Sequence, residues 1–301
     1  MTDKSRLDFF AFPGQFTESG NYLTILKKLP DSIPELTAVV QGLTLHMFTA
    51  ESFYGCAVSD ARTESEAHIR HFDLLLRKII ELDSSDISKP RKPEKRITGV
   101  CHHFSKLLTG ILRAKKIPAR MRYGFGSYFN EGYFEDHSVC EYWNKKEKRW
   151  IIVDPQFDKV WIRNLKIKHN VFDVPNNKFF KPAESWILCR EGKLDPLKFG
   201  IFEPEMRGLW FIAGNLVKDA AAMHKMELLQ WDAWSGMPRP NNSMTNKKTL
   251  KFFDELAFLM TEPDKNSVNI SEMYENIKVP DRVFNAMHRH LEWVVDKPKK
   301  K

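Results

Sequence analysis

The chain has 301 residues, of which 42% are hydrophobic, 12% aromatic and 29% charged, and 47 Lys and Arg against 39 Asp and Glu give a formal net charge of +8. That length buries a large core without covalent staples, and the composition excludes a disordered, collagen-like or repeat chain. No apolar run approaches the roughly 20 residues of a membrane span and the first residues lack a secretory signal, so a soluble, cytoplasmic protein without a membrane partner is expected.

Residues 1–30 are aromatic and broken by Pro13, Gly14 and Gly20, which predicts an irregular arm packed on a core. From 65 to 82, Ile69, Phe72, Leu75, Leu76, Ile79 and Ile80 follow the spacing of an amphipathic helix. Residues 84–96, with Pro90 and Pro93, read as a loop. Val100, Phe104, Leu107, Leu108, Ile111 and Leu112 share one helical face, so a buried helix is predicted to begin near Cys101 and to end by Ile117-Pro118. Short β-type runs follow at 120–125, 137–143 and 150–153, the last two joined as a hairpin by the turn 144–149. The final third reads as helical, at 206–229, 246–260 and 280–295, with Pro280-Asp281 as a helix start. The terminal Lys297-Pro298-Lys299-Lys300-Lys301 is expected to fray.

The positive excess falls between residues 101 and 200. Lys115, Lys116, Arg120, Arg122 and the lysines of the turn 144–149 are expected at loops and strand edges, solvated or blunting an edge. Nucleic acid is therefore not expected as a partner. At most, the charge biases substrate choice or the field at Cys101.

Cys56, Cys101, Cys140 and Cys189 are widely spaced with no CxxC pair, which removes paired zinc ligands and thioredoxin-like chemistry. Cys56, Cys140 and Cys189 read as small buried hydrophobes. Cys101 differs, because a thiolate at a first helical turn is stabilised by unpaired backbone N–H groups and the helix dipole. Downstream in order come His137, on one predicted strand, and Asp154, at the end of the next. A histidine beside a cysteine can pair with its thiolate and later protonate a leaving amine. A carboxylate fixes the tautomer of that histidine. His102 and His103 are rivals for the base, but residues adjacent to a helical cysteine point to other faces, which leaves them solvent-facing or supporting. Asp136, next to His137 on a strand, should face the opposite way. His68 and His71 supply two metal ligands without a third, so no metal site is expected there. Trp231, Trp234, Trp143 and Trp150 read as packing more than as a substrate cleft.

Four blocks carry a resemblance. Gly99-Val100-Cys101-His102-His103-Phe104, the stretch 113–120 ending Ile117-Pro118-Ala119-Arg120, the stretch 136–143 opening Asp136-His137, and Arg149-Trp150-Ile151-Ile152-Val153-Asp154-Pro155 occur in the order seen in the transglutaminase-like superfamily. The match covers roughly 97–160. It implies an α+β fold with a papain-like core, a nucleophile helix packed on an antiparallel sheet, and helical N- and C-terminal flanks. It also implies Cys101 as nucleophile, His137 as general base and acid, and Asp154 as orienting carboxylate, with no cofactor. Lys116 stands where the family's turn usually has glycine. The acidic clusters of calcium-dependent animal transglutaminases have no counterpart, so no calcium dependence is expected. The stretch 206–234 also resembles a region of bacterial transglutaminase-like proteins.

Papain-like sites complete an oxyanion hole with the cysteine N–H and a donor from an earlier segment, and Gln41 is a candidate by type and order. The expected organisation is an N-terminal helical arm at 1–96, a catalytic core at 97–200 and a helical region at 201–301 compact with the core. The expected function is acyl transfer from an amide, in a protein or peptide substrate, through a Cys101 thioester to water or an amine. The rivals are a peptide N-glycanase-like amidase and a non-catalytic scaffold that binds a protein partner.

Overall fold

The structure, a computed structural model, describes residues 4–240 and 242–295. The basic tail at 297–301 therefore lies outside the described residues. The chain divides into two compact units: the residues up to Arg122 together with His137–Phe179, and Tyr123–Asp136 together with the chain from Phe180 onward. The division falls inside three strands.

The first unit opens with α1 (Lys4–Ala11), α2 (Leu23–Lys27) and α3 (Ile33–Leu43), followed by β1 (Thr44–His46), α4 (Ala50–Tyr54), α5 (Asp60–Glu66) and α6 (Phe72–Leu82). The arm at 1–30 is thus partly helical, and it packs as expected, with Phe10, Phe16 and Leu26 fully buried. Ser32 caps α3: its hydroxyl accepts from the Glu35 N–H and donates to the Glu35 carboxylate, and Pro34 sits in the first turn where no N–H is missed. The single helix predicted over 65–82 is interrupted at 67–71. There the Arg70 carbonyl accepts from Lys106 Nζ and the Phe72 N–H donates to the Phe16 carbonyl, so these groups are bonded to other segments.

Next come β2 (Ile97–Gly99) and α7 (Cys101–Ala114). β1 and β2 pair in parallel, with Thr44 opposite Ile97 and His46 opposite Gly99. The outer side of β2 is held by α5: the Thr98 N–H donates to Glu66 Oε2 at 2.7 Å, while Arg62 pairs with Glu66 and reaches the Arg96 carbonyl. Phe104, Leu107, Leu108, Ile111 and Leu112 of α7 pack with Leu36, Val40 and Leu43 of α3 and with Phe72, Leu75, Leu76 and Ile79 of α6. Each such side chain contributes roughly 1.5–3 kcal/mol on burial, which outweighs the roughly 1 kcal/mol lost to Gly110 inside the helix. A Cβ at Gly110 would lie 2.8 Å from the Phe72 ring, so the glycine lets α6 approach. α7 ends with the Ile117 N–H donating to the Leu112 carbonyl and Lys116 in the left-handed region at φ 59°, the conformation that favours glycine at this turn.

β3 (Ala119–Gly126), β4 (Phe134–Asn144) and β5 (Arg149–Val153) then form a sheet ordered β5-β4-β3-β6, where β6 is Phe179–Phe180, and α8 (Lys159–Asn164) follows β5. β4 and β5 are antiparallel, with Cys140 opposite Val153 and Asn144 opposite Arg149, the predicted hairpin. Arg120 and Arg122 correct the expectation of solvated edge positions. Both are buried and share Glu141 on β4, at 2.6 and 3.1 Å, and Arg120 lies 3.9 Å over the Trp150 ring. A buried guanidinium is retained only when paired and hydrogen-bonded in this way.

The second unit contains α9 (Pro182–Arg190), β7 (Phe199–Gly200), α10 (Leu209–Met223), β8 (Asp232–Ala233), α11 (Lys247–Met260), α12 (Ser267–Tyr274), β9 (Arg282–Asn285) and β10 (His290–Trp293). β7 runs parallel to β4 at Phe134 and Glu135. Asn246 caps α11 by accepting from the Lys248 and Thr249 N–H groups, as the predicted boundary requires. The helix predicted over 280–295 is instead a β-hairpin, and β8 adds to it in the order β10-β9-β8. The physical reason lies in Asn285: its Oδ1 accepts from the Met287 and His288 N–H groups, a turn that competes with helical bonding. Arg282 to Asn285 alternate exposed and buried, the period of a strand. Among the described residues no helix is long and apolar enough to cross a membrane.

Candidate active site

α7 begins at Cys101 because Val100 is extended (φ −126°, ψ −176°) and cannot cap with its own side chain. His103, two positions after Cys101, does part of that work: the Val100 N–H donates to its Nδ1 at 3.1 Å. His103 is fully buried, and burial foremost, then the nearby Lys106, pushes it down to about 3, against a hydrogen bond to the Ala67 backbone. A neutral ring keeps the Nδ1 lone pair that this contact needs. Gly99 makes room for it, since a Cβ there would lie 2.4 Å from His103 Cγ. His102 and His103 are both buried, which corrects the solvent-facing option and leaves the supporting one.

Cys101 is almost wholly enclosed at 7% exposure. His137 reaches it from β4 and hydrogen-bonds its side chain. The other side of the imidazole is taken: His137 Nε2–H donates to Asp154 Oδ2 at 2.7 Å. Nδ1 is therefore the nitrogen that faces the sulfur. Asp154, fully buried just past β5, has its second oxygen held by the Gln156 N–H at 3.2 Å. Burial disfavours charge on His137, but the Asp154 carboxylate and Cys101 outweigh it and push the imidazole up to about 10. The ring is fixed by Phe157, parallel to it at 6.0 Å, and by Phe179, edge-on at 6.4 Å.

The structure brings Cys101, His137 and Asp154 together. Gln41 is half-buried in the last turn of α3, with no hydrogen bond to the three among the described residues. Sequence reasoning missed His46. The β1/β2 register sets it opposite Gly99, two residues before Cys101, and only that long-range pairing relates residue 46 to residue 101. Its ring is edge-on to Trp161 at 5.4 Å, and Trp161 in turn packs on Phe157 at 5.6 Å. Burial, and then the charge of His137, pushes His46 down to about 3, so it is a neutral imidazole. His46 Nδ1, Trp161 Nε1 and Gln156 Oε1 are buried without a protein partner.

Other candidates separate cleanly. Asp136 accepts from Asn215 and Gln230 at 2.8 and 2.7 Å. Trp234 donates to the Ile277 carbonyl at 2.7 Å and is packing. Cys140 is buried beside the Thr109 hydroxyl at 3.3 Å, and burial pushes its thiol up to about 12. Cys56 and Cys189 are only half-buried, which corrects their reading as core residues.

A helix that starts at a cysteine and packs against an antiparallel sheet carrying a histidine is the papain-like α+β arrangement, with helical flanks, and it places the first unit in a class of cysteine-based enzymes. Residues 56–155 match the transglutaminase-like superfamily, so this chain carries a transglutaminase-like domain; the match spans Cys101, His137 and Asp154 and starts some forty residues ahead of the four sequence blocks. A solved structure from Cytophaga hutchinsonii, assigned provisionally as a cysteine protease, is 19% identical over 60% of this chain and 46% of that one, with a TM-score of 0.35. The chain thus spans about half of that protein. No curated protein matches in sequence.

Proposed function

We propose that the transglutaminase-like domain is an acyl-transfer enzyme acting on amide bonds of a protein or peptide. The carrying observation is the chain of contacts from Cys101 through His137 to Asp154. In this reading the Cys101 thiol gives its proton to His137 Nδ1, and its sulfur becomes the attacking atom. It attacks the amide carbonyl carbon, His137 gives its Nδ1 proton to the departing amine, and a thioester remains on Cys101. Water or a second amine then gives its proton back to His137 and takes the acyl group. Proton transfer of this kind is worth about 10² to 10⁴-fold.

The oxyanion formed on attack needs donors at its own position. The backbone N–H of Cys101, at the first turn of α7, is one. His46 is the second in this reading, in place of Gln41: it is neutral, enclosed, and aligned with β2 just ahead of the nucleophile. Trp161 Nε1–H and Gln156 Oε1 supply a donor and an acceptor nearby, the pair a secondary amide satisfies.

Iodoacetamide labelling followed by peptide mapping tests the nucleophile. Cys101 is expected to react at pH 7 faster than a model thiol, and turnover of a peptide and amide library is expected to vanish in Cys101→Ala. A Cys101 no more reactive than the model thiol, in a protein that still turns over after the substitution, sinks the reading.

A further inference from the structure

Phe48 leaves 74% of its surface to solvent, although the turn that carries it is held on both sides. The Met47 N–H donates to the Gly99 carbonyl at 2.8 Å, and the Thr49 N–H donates to the His46 carbonyl at 3.2 Å. The first of these bonds ties the turn to the end of β2, two residues before Cys101. Single exposed apolar residues are ordinary; this one is set apart by what it touches.

The Phe48 ring lies 5.9 Å from the ring of His46. From there aromatic contacts continue inward: His46 meets Trp161 at 5.4 Å, Trp161 meets Phe157 at 5.6 Å, and Phe157 lies parallel to the His137 ring at 6.0 Å. Phe53 of α4 backs the row, edge-on to Trp161 at 4.7 Å. Exposure falls along it, from Phe48 through the half-buried His46 to Trp161 at 4% and Phe157 at 1%. The row is a wall with its inner end on His137 and its outer end in water. Packing accounts for the enclosed rings, but not for Phe48.

The place of His46 as oxyanion donor, part of the acyl-transfer reading on which this inference rests, sets a distance. The substrate oxygen then stands about 3 Å from a His46 nitrogen. An extended peptide advances about 3.3 Å per residue, so a side chain one or two residues from the reacting amide comes within reach of the Phe48 ring. Aromatic rings pair offset or edge-on with centres about 4.5–7 Å apart. A wall built at that spacing accepts one more ring at its open end, whereas a polar side chain keeps its partners in water.

We propose that Phe48 is a substrate-binding residue that receives an aromatic or large aliphatic side chain beside the reacting amide. The substrate class is then a peptide with such a residue next to that bond.

Two hexapeptide amides that differ in one central residue, phenylalanine against serine, test this on the full chain. Their binding to Cys101→Ala, in which no turnover depletes them, is measured by calorimetry, and alkylation of Cys101 by iodoacetamide is followed separately. The phenylalanine peptide is expected to bind at least tenfold more tightly. That preference should shrink to within twofold when Phe48→Ala is added, and return with Phe48→Trp. Because Phe48 is exposed, the single substitution Phe48→Ala should leave the melting temperature unchanged. Iodoacetamide, which has no side chain to place, should alkylate Cys101 at the wild-type rate in that variant. A preference that survives Phe48→Ala, or a chain that binds both peptides equally or neither, overturns the proposal. A preference that depends on Phe48 beside an unreactive Cys101 sustains the binding role and sinks the acyl-transfer reading alone.

Discussion

The histidine and carboxylate pair His137–Asp154 in the first compact unit differs from His288–Glu292 in the second in what surrounds it. His137 and Asp154 are sealed, 1% and 0% exposed, and the imidazole also hydrogen-bonds Cys101. His288 and Glu292 are 17% and 16% exposed and share their neighbourhood with a second imidazole and an amide. Burial makes the first pair rigid, with its remaining ring nitrogen facing a sulfur. Partial exposure, a second ring and an amide leave the other pair tied to its own turn and open to solvent. The pair alone does not define chemistry; its third neighbour and its access to water do.

The sharpest way to break this contrast is Asp154→Asn. Without the carboxylate the His137 tautomer and charge are lost, and alkylation of Cys101 at pH 7 and amide turnover should fall about 10² to 10⁴-fold, measured by labelling kinetics beside the wild type. A second test follows stability with pH. His137 is raised from 6.5 to about 10, so the stability it contributes is complete below pH 6.5 and is lost as pH rises toward 10. Urea unfolding across that window should show stability declining in the wild type and declining less in Asp154→Asn, where Cys101 still holds the imidazole; equal slopes would mean the pair is not linked to folding. Third, His46→Gln should lower kcat roughly 10 to 10²-fold with KM within about twofold, since the donor acts on the oxyanion and not on the bound amide. Cys140 is a control for burial without a partner histidine: its thiol should resist iodoacetamide at pH 8 in the folded protein, and Cys140→Ala should cost about 1 kcal/mol through a small cavity. The smallest effect is expected for Glu292→Gln, at about 0–1 kcal/mol in thermal unfolding, as for other partly exposed pairs.

The nucleophile helix and the hairpin behind it were legible because their signals are local: helical spacing from Val100 to Leu112, alternation on either side of the turn at Asn144 to Arg149. Cys101, His137 and Asp154 could be named from order and residue type, since the chain turns once between the last two. His46 could not, because its place depends on pairing between strands more than fifty residues apart. Arg120 and Arg122 misled for a related reason. Charge alone says solvent, and Glu141, some twenty residues on, is what makes burial tolerable. At 280–295 the apolar spacing fits a helix, but one asparagine side chain that captures two backbone N–H groups redirects the chain. Lys116 shows the opposite case, where backbone geometry is kept while the residue type changes: the turn after α7 still takes the left-handed conformation, at a strain of roughly 1–2 kcal/mol that glycine would not incur.

The carboxylate of Glu66 also has a protective side. A ribbon of two parallel strands offers its outer backbone groups to any extended segment that drifts by, and such an open edge is how folded chains begin to aggregate. By taking the Thr98 N–H, Glu66 fills the place of a third strand with a side chain. That leaves one backbone group fewer on this flank of β2 for a foreign strand to pair with.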